Sequence, residues 1–291
     1  MSGEVSWDQD IWVTRLVDGI CARTIDRPLL VGPLSIGMVP VVLSTVLFWM
    51  TWDEQTSRYV ISHLLVITIG FLGPGLIWYW DRIVFRKFVE DVSGLTPETD
   101  ELTRLAAHYS WLFRRHYWIF SIGLVSLFFA IVIDNMAYFR TLGMGGFENL
   151  SFWVFMLTGV TWGAVTGIGF HMAIVAVLFI RAFGRLELVI EPLHPDGLGG
   201  LSAIGSFAIW TTMLISIGSL GFPYVFLLMA QGSSAALIYV GVGFYMLIIA
   251  LSFFYPTLYV NRRAQEVRER ELDEMRARIR ELERRSSNPG R

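Results

Sequence analysis

Residues 152–180 read FWVFMLTGVTWGAVTGIGFHMAIVAVLFI, a run that contains no Asp, Glu, Lys or Arg. A bilayer hydrocarbon core about 30 Å thick requires about 20 apolar helical residues to cross it. This run therefore spans a membrane with turns to spare. Five further stretches qualify, near 28–50, 58–80, 117–139, 207–230 and 236–260. The composition agrees: 54% of the chain is hydrophobic and 16% charged, with a mean hydropathy of +0.54. Soluble domains carry about 25% charged residues, and a chain this apolar has no water-surrounded core large enough to bury its excess. The reading is an all-α polytopic membrane protein with six transmembrane helices.

Charge sets the orientation. The 23 basic residues fall as three in the segment before span one, six between spans two and three, two between spans four and five, and ten in the tail, which leaves only Arg58 and Arg140 on the other side. Cytoplasmic loops carry the Lys and Arg excess, so both termini are expected in the cytoplasm, in a multi-pass cell-membrane protein. Residues 1–27 contain Glu4, Asp8, Asp10 and Asp18 with no basic start or apolar run, unlike a signal peptide. They read as a soluble, partly amphipathic lead-in to a transmembrane domain over 28–260. Trp49, Trp52, Trp78, Tyr79, Trp80, Tyr117, Trp118 and Trp153 fall at the span ends, where interfacial aromatics are expected. Arginine takes the place of all basic residues but Lys87, a bias that fits a prokaryotic genome rich in GC. The single cysteine, Cys21, forms no intrachain disulfide.

Two cytoplasmic elements are expected. In residues 81–116, Ile83, Val84, Phe85, Phe88, Val89 and Val92 carry a helical stripe out of span two, and Ser93-Gly94 stops it. Thr96 is placed as an N-cap with Pro97 at the first helical position, opening an amphipathic helix into span three. The tail, 261–291, interleaves ten arginines with seven acids, which marks a solvated helix and weighs against nucleic-acid binding. Leu272, Met275, Ile279 and Leu282 follow the 3-4-3 spacing of a coiled-coil seam over about two heptads. Residues 268–285 therefore suit either self-association into a homo-oligomer or packing on the chain's own hairpin.

Chemistry has few footholds. Between spans four and five, Glu187, Glu191, His194 and Asp196 supply carboxylate and imidazole groups within ten residues, the inventory of a divalent-cation site. The glycines that follow, Gly197, Gly199 and Gly200, offer backbone amides to an anion or lipid headgroup. A third reading makes the loop a plain turn, His194-Pro195-Asp196-Gly197 fitting type I, after an extended segment from Leu186 to Glu191. His194 to Leu201, HPDGLGGL, resembles a segment found between spans in prokaryotic multi-span membrane proteins of uncharacterised activity. That resemblance implies a prokaryotic membrane protein and carries no mechanism with it.

Inside the membrane, Gly159, Gly163 and Gly167 recur every four residues with His171 next on the same face. Such a ribbon admits close helix approach, while an ionisable group at membrane depth is a functional candidate. His171 reads either as a packing residue or as a proton or cation handler. His63 and Asp134 share a depth near the outer ends of spans two and three and read as a pair or as groups reaching interfacial water. Asp134 is the only acid within the spans so drawn. Gly73-Pro-Gly and Gly221-Phe-Pro interrupt spans two and five as kinks or as transporter-like breaks. No Ser/His/Asp, P-loop, dinucleotide or CxxC pattern occurs, which weighs against an enzyme. Three functions compete: an oligomeric channel or transporter, a membrane scaffold or sensor with a cytoplasmic interaction surface, and a metal-dependent membrane enzyme acting at 187–196.

Overall fold

The computed structural model describes residues 11–24, 27–50, 57–141, 146–189, 200–223, 226 and 235–286. Among these residues all regular structure is helical, and six helices are long and apolar enough to cross a membrane: Pro28–Val46, His63–Leu95, Thr99–Asp134, Phe155–Phe183, Ser202–Gly221 and Ile238–Tyr259. The chain is an all-α integral membrane protein. In order, the elements are α1 (Trp12–Cys21), α2 (Pro28–Gly32), α3 (Met38–Met50), α4 (Ser57–Tyr79), α5 (Phe85–Val92), α6 (Thr99–His116), α7 (Trp118–Asp134), α8 (Met136–Thr141), α9 (Leu150–Phe183), α10 (Ser202–Ser216) and α11 (Ala235–Ser286). Helices α2 and α3 together make span one, joined by a π-helical turn at Pro33–Gly37.

Helix α9 is the axle of the bundle, since 67% of its apolar window is buried against 56% for the second span and 17–33% for the other four. It packs on α3, α4, α6, α7, α10 and α11. Lipid tails are as apolar as leucine, so helices in a bilayer are held by close packing and interhelical hydrogen bonds. The glycine ribbon supplies the first. A methyl group added at Gly167 would strike the backbone of Ser121, one at Gly159 the ring of Phe128, and one at Gly163 would sit 3.2 Å from Val125 Cγ2. The ribbon thus faces α7 of the same chain, and Ser121 Oγ donates to the Ala164 carbonyl at 2.9 Å across that contact. Ser44 and Thr158 share a buried hydrogen bond of 2.7 Å between α3 and α9, and Thr212 and Ser252 one of 3.1 Å between α10 and α11.

The helix of span two continues past residue 80, through a device with no sequence signature. The helix passes through a π-helical turn at Trp80–Val84, continues as α5, and stops in a 3-10 turn at Ser93–Leu95. Helix α6 opens at Thr99 with Glu98 as N-cap, two residues later than the Thr96-Pro97 start. Thr96 Oγ1 instead accepts from the Glu98 amide at 3.2 Å, a local turn that precedes the helix. The stretch after α9 is non-helical from Leu186 to Val189 and forms no strand; the Val189 amide donates to the Leu95 carbonyl at 2.8 Å, tying this segment to the hairpin. Gly200, at the far end of that loop, has φ 91°, a conformation open to glycine and costly for other residues.

The largest departure is at the C-terminus. Span six and the tail form one 52-residue helix that runs through Pro256 without a break. At 1.5 Å per residue it is about 78 Å long, and its last 27 residues reach about 40 Å beyond Tyr259. The seam residues Leu272, Met275, Ile279 and Leu282 are 39–64% exposed, so the tail does not pack on its own hairpin.

Candidate functional site

The densest buried polar cluster lies at the arginine-rich end of the bundle, where the π-turn of span two meets α1, α6 and α10. A π-turn inserts one extra residue into the helix and re-aims the side chains around it, and such insertions recur at functional sites. Here Trp78 of α4 and three residues of the turn, Trp80, Asp81 and Arg82, reach three different elements. Trp78 Nε1 donates to Asp18 Oδ1 at 2.6 Å. Trp80 Nε1 donates to Thr211 Oγ1 of α10 at 3.0 Å. Asp81 accepts from Thr14 Oγ1 at 3.0 Å and from Arg114 Nη2 of α6 at 3.3 Å. Arg82 donates to Asp18 Oδ2 through Nε at 3.0 Å and Nη2 at 2.5 Å.

The local sequence explains this convergence. Thr14 and Asp18 are four residues apart on α1 and so share one face. That face meets consecutive residues Asp81 and Arg82, while Val13 and Val17 pack beneath it and Trp12 and Leu16 point away, exposed. Trp12 and Leu16 with Arg15 give α1 an exposed face that is mixed apolar and basic. Around the cluster, Trp80 packs edge-on to Phe113 at 4.9 Å and Phe88 stacks on Phe207 at 4.2 Å. Trp80 is therefore a core residue, a correction to its placement as an interfacial aromatic. The cause is the π-turn, which rotates it inward.

Electrostatically the cluster is closed. Asp81 and Arg114 are each buried, and a buried carboxylate is tolerated when a partner charge and hydrogen bonds replace its water. Asp18 and Arg82 sit nearer the rim and are partly solvated. The arrangement holds three elements in register: α1, α6 and α10 are each hydrogen-bonded to the stretch of span two around the π-turn. Asp81 lies one residue past the end of span two drawn from the sequence, inside the His63–Leu95 helix that carries the π-turn. The signal in the sequence was the pairing of Asp81-Arg82 with Thr14 and Asp18 at helical spacing.

The other candidate residues are placed as follows. His171 is buried; its Nε2 lies 3.1 Å from the Leu112 carbonyl, to which the Nε2–H tautomer donates, and its ring stacks on Phe113 at 5.8 Å and 12°. With Gly159, Gly163 and Gly167 it completes the face of α9 that meets α6 and α7. His63 is fully buried and Asp134 is exposed at the end of α7, so the two stand in different surroundings despite their common depth, and His63 does not reach interfacial water. Of the proposed cation ligands, Glu187 is exposed, while Glu191, His194 and Asp196 lie outside the described residues. Among the described residues no group of three His, Cys, Asp or Glu side chains is arranged to hold a metal. No protein family, curated protein or solved structure matches the chain.

Proposed function

We propose that this chain is a membrane-anchored scaffold that self-associates through its tail, with both termini in the cytoplasm of a prokaryotic cell and the bundle in the cell membrane. The observation that carries the reading is the exposed seam Leu272, Met275, Ile279 and Leu282 on a helix continuous with span six. A rigid helix of that reach has no structural use for an unpacked apolar stripe unless another helix covers it. The flanking charges are of both signs, with Arg262–Glu266 and Arg276–Asp273 pairs at 3.2 Å, as on the outer faces of coiled coils. The clamp of α1, α4 and α6 then serves as the stiff base from which hairpin and tail project. The test is cysteine crosslinking of Met275→Cys in a Cys21→Ser background: oxidation in membranes should join copies into a covalent dimer, and a monomer band alone would contradict the proposal.

One observation favours an oligomeric channel or transporter as the second reading. Span five loses α-helical geometry at Ile217–Gly221, within its membrane-crossing window. Against it, Ser44, Thr158, His171, Thr212 and Ser252 are taken up in hydrogen bonds that pair neighbouring helices. Ion flux into liposomes holding only this protein separates the two, and the scaffold predicts none above empty vesicles.

A further inference from the structure

The seam on the tail does not end at the membrane surface. Leu272 and Ile279 stand at position a of a heptad, and Met275 and Leu282 at d. Carried back along α11, the same spacing passes through Gln265 at a and Asn261 at d, then enters span six at Leu258, Phe254, Leu251 and Leu247. Arg268 is the only charged residue on this line from Phe244 to Leu282. The chain's own bundle leaves the line open. Among the described residues of the span, those that are buried, Ile238, Tyr245, Ile248, Ser252 and Pro256, all fall at b, e or f. There Tyr245 donates to the Ile215 carbonyl, and Ser252 shares a hydrogen bond with Thr212. The a and d residues from Phe244 to Leu258 are 49–65% exposed. Pro256, at f, puts its missing hydrogen bond on the side away from the seam, and the helix continues unbroken.

Charge and hydrogen bonding name a second copy of this helix as what covers the line. In a parallel, in-register pair the g residue of one helix faces the e residue five places further along its partner. Arg278 at g then faces Glu283 at e, and the sequence holds a second opposite-charge pair at the same spacing, Glu271 and Arg276. The Asn261 and Gln265 amides each carry donor and acceptor, so each complements the same residue of a second copy at the same height. Both tails rise as continuations of their own spans, which excludes an antiparallel pair. We propose that α11 pairs in parallel and in register with α11 of a second copy, and that the contact runs on from the tail into the membrane along Leu258, Phe254, Leu251 and Leu247. This rests on the self-association reading and extends its interface from the tail to the span. Lipid tails are as apolar as leucine, so the span adds little affinity of its own. The tail supplies the affinity and, through an unbroken helix, fixes which face of span six meets its partner. From Leu247 to Leu282 a straight helix drifts about 100° from a seven-residue repeat, so the two copies wind around each other in a left-handed supercoil.

The experiment places single cysteines in the full-length Cys21→Ser chain and oxidises the membranes with copper phenanthroline. Leu247 and Met246 are neighbours at one depth, 53% and 52% exposed, and differ in heading, d against c. Leu247→Cys and Leu251→Cys should give a covalent dimer together with Met275→Cys in the tail. Met246→Cys should give at most about a tenth as much, because a disulfide needs its two Cβ atoms close together. Adding Glu283→Arg to Leu247→Cys sets like charges against Arg278 and should lower the dimer yield about twofold or more, and adding Arg278→Glu as well should restore it. A dimer at Met275→Cys with none at Leu247→Cys and Leu251→Cys overturns this inference and leaves the tail reading standing. No dimer at any of the three overturns both. Equal yields at Leu247→Cys and Met246→Cys, as chance collision in lipid gives, also overturn the inference. So do span dimers without one at Met275→Cys, a Leu247→Cys yield indifferent to Glu283→Arg, or a lowered yield that Arg278→Glu does not restore.

Discussion

Asp81 and Arg114 stand 3.3 Å apart with both side chains 3% exposed, so the ion pair that joins span two to the helix entering span three is sealed from water. Removing one member of such a pair strands the other charge, which costs about 3–5 kcal/mol, whereas replacing both with apolar residues is near neutral. Asp81→Ala and Arg114→Ala should each lower thermal stability in detergent by that order. The double variant Asp81→Leu/Arg114→Met should recover most of the loss. Additive losses in the double variant would show that the pair is not the unit of stability.

The rim pair Asp18–Arg82 is partly solvated, so its contribution is smaller and depends on salt. Asp18→Ala should cost about 1 kcal/mol and act locally by freeing α1. Hydrogen exchange across residues 12–21 should accelerate in the variant while exchange in α9 stays unchanged. Uniform acceleration throughout the bundle would contradict a local clamp.

The glycine ribbon predicts an order of damage set by what each added methyl meets. Gly167→Ala drives a methyl into the backbone of Ser121, which cannot move without shifting α7, whereas Gly163→Ala meets the Val125 methyl at 3.2 Å, which can yield. Folded yield in detergent should fall sharply for the first and little for the second. His171→Gln keeps a donor for the Leu112 carbonyl and should cost under about 1 kcal/mol. Equal effects of the two glycine variants would remove the close-packing account.

Topology is checked by labelling. In a Cys21→Ser background, Ser57→Cys and Ser233→Cys should react with an impermeant thiol reagent added outside intact cells, and Ser287→Cys only after permeabilisation. Reaction at 287 from outside would reverse the proposed orientation.

Much of the architecture was readable because it rests on long-range regularities of the chain. Uninterrupted apolar runs marked the six spans, and the stripe from Ile83 to Val92 announced the hairpin. What escaped was local and steric. A π-turn shifts helix phase by one residue without any composition cue, so the burial of Trp80 and Asp81 at the turn was not readable. The start of α6 was displaced because Thr96 uses its hydroxyl on the Glu98 amide before the helix begins. The continuity of α11 was hidden by Pro256, which on sequence alone invites a boundary.

The claim on which the account turns is that the seam of α11 is covered by another copy of the chain. Light scattering of the purified protein in detergent, with the detergent mass subtracted, tests it directly. The native chain should give a whole-number multiple of its 33.1 kDa mass, and the variant Leu272→Ser/Ile279→Ser/Leu282→Ser should fall to the monomer while keeping its helix content. A monomeric native protein, or an oligomer unchanged by the three substitutions, would contradict it.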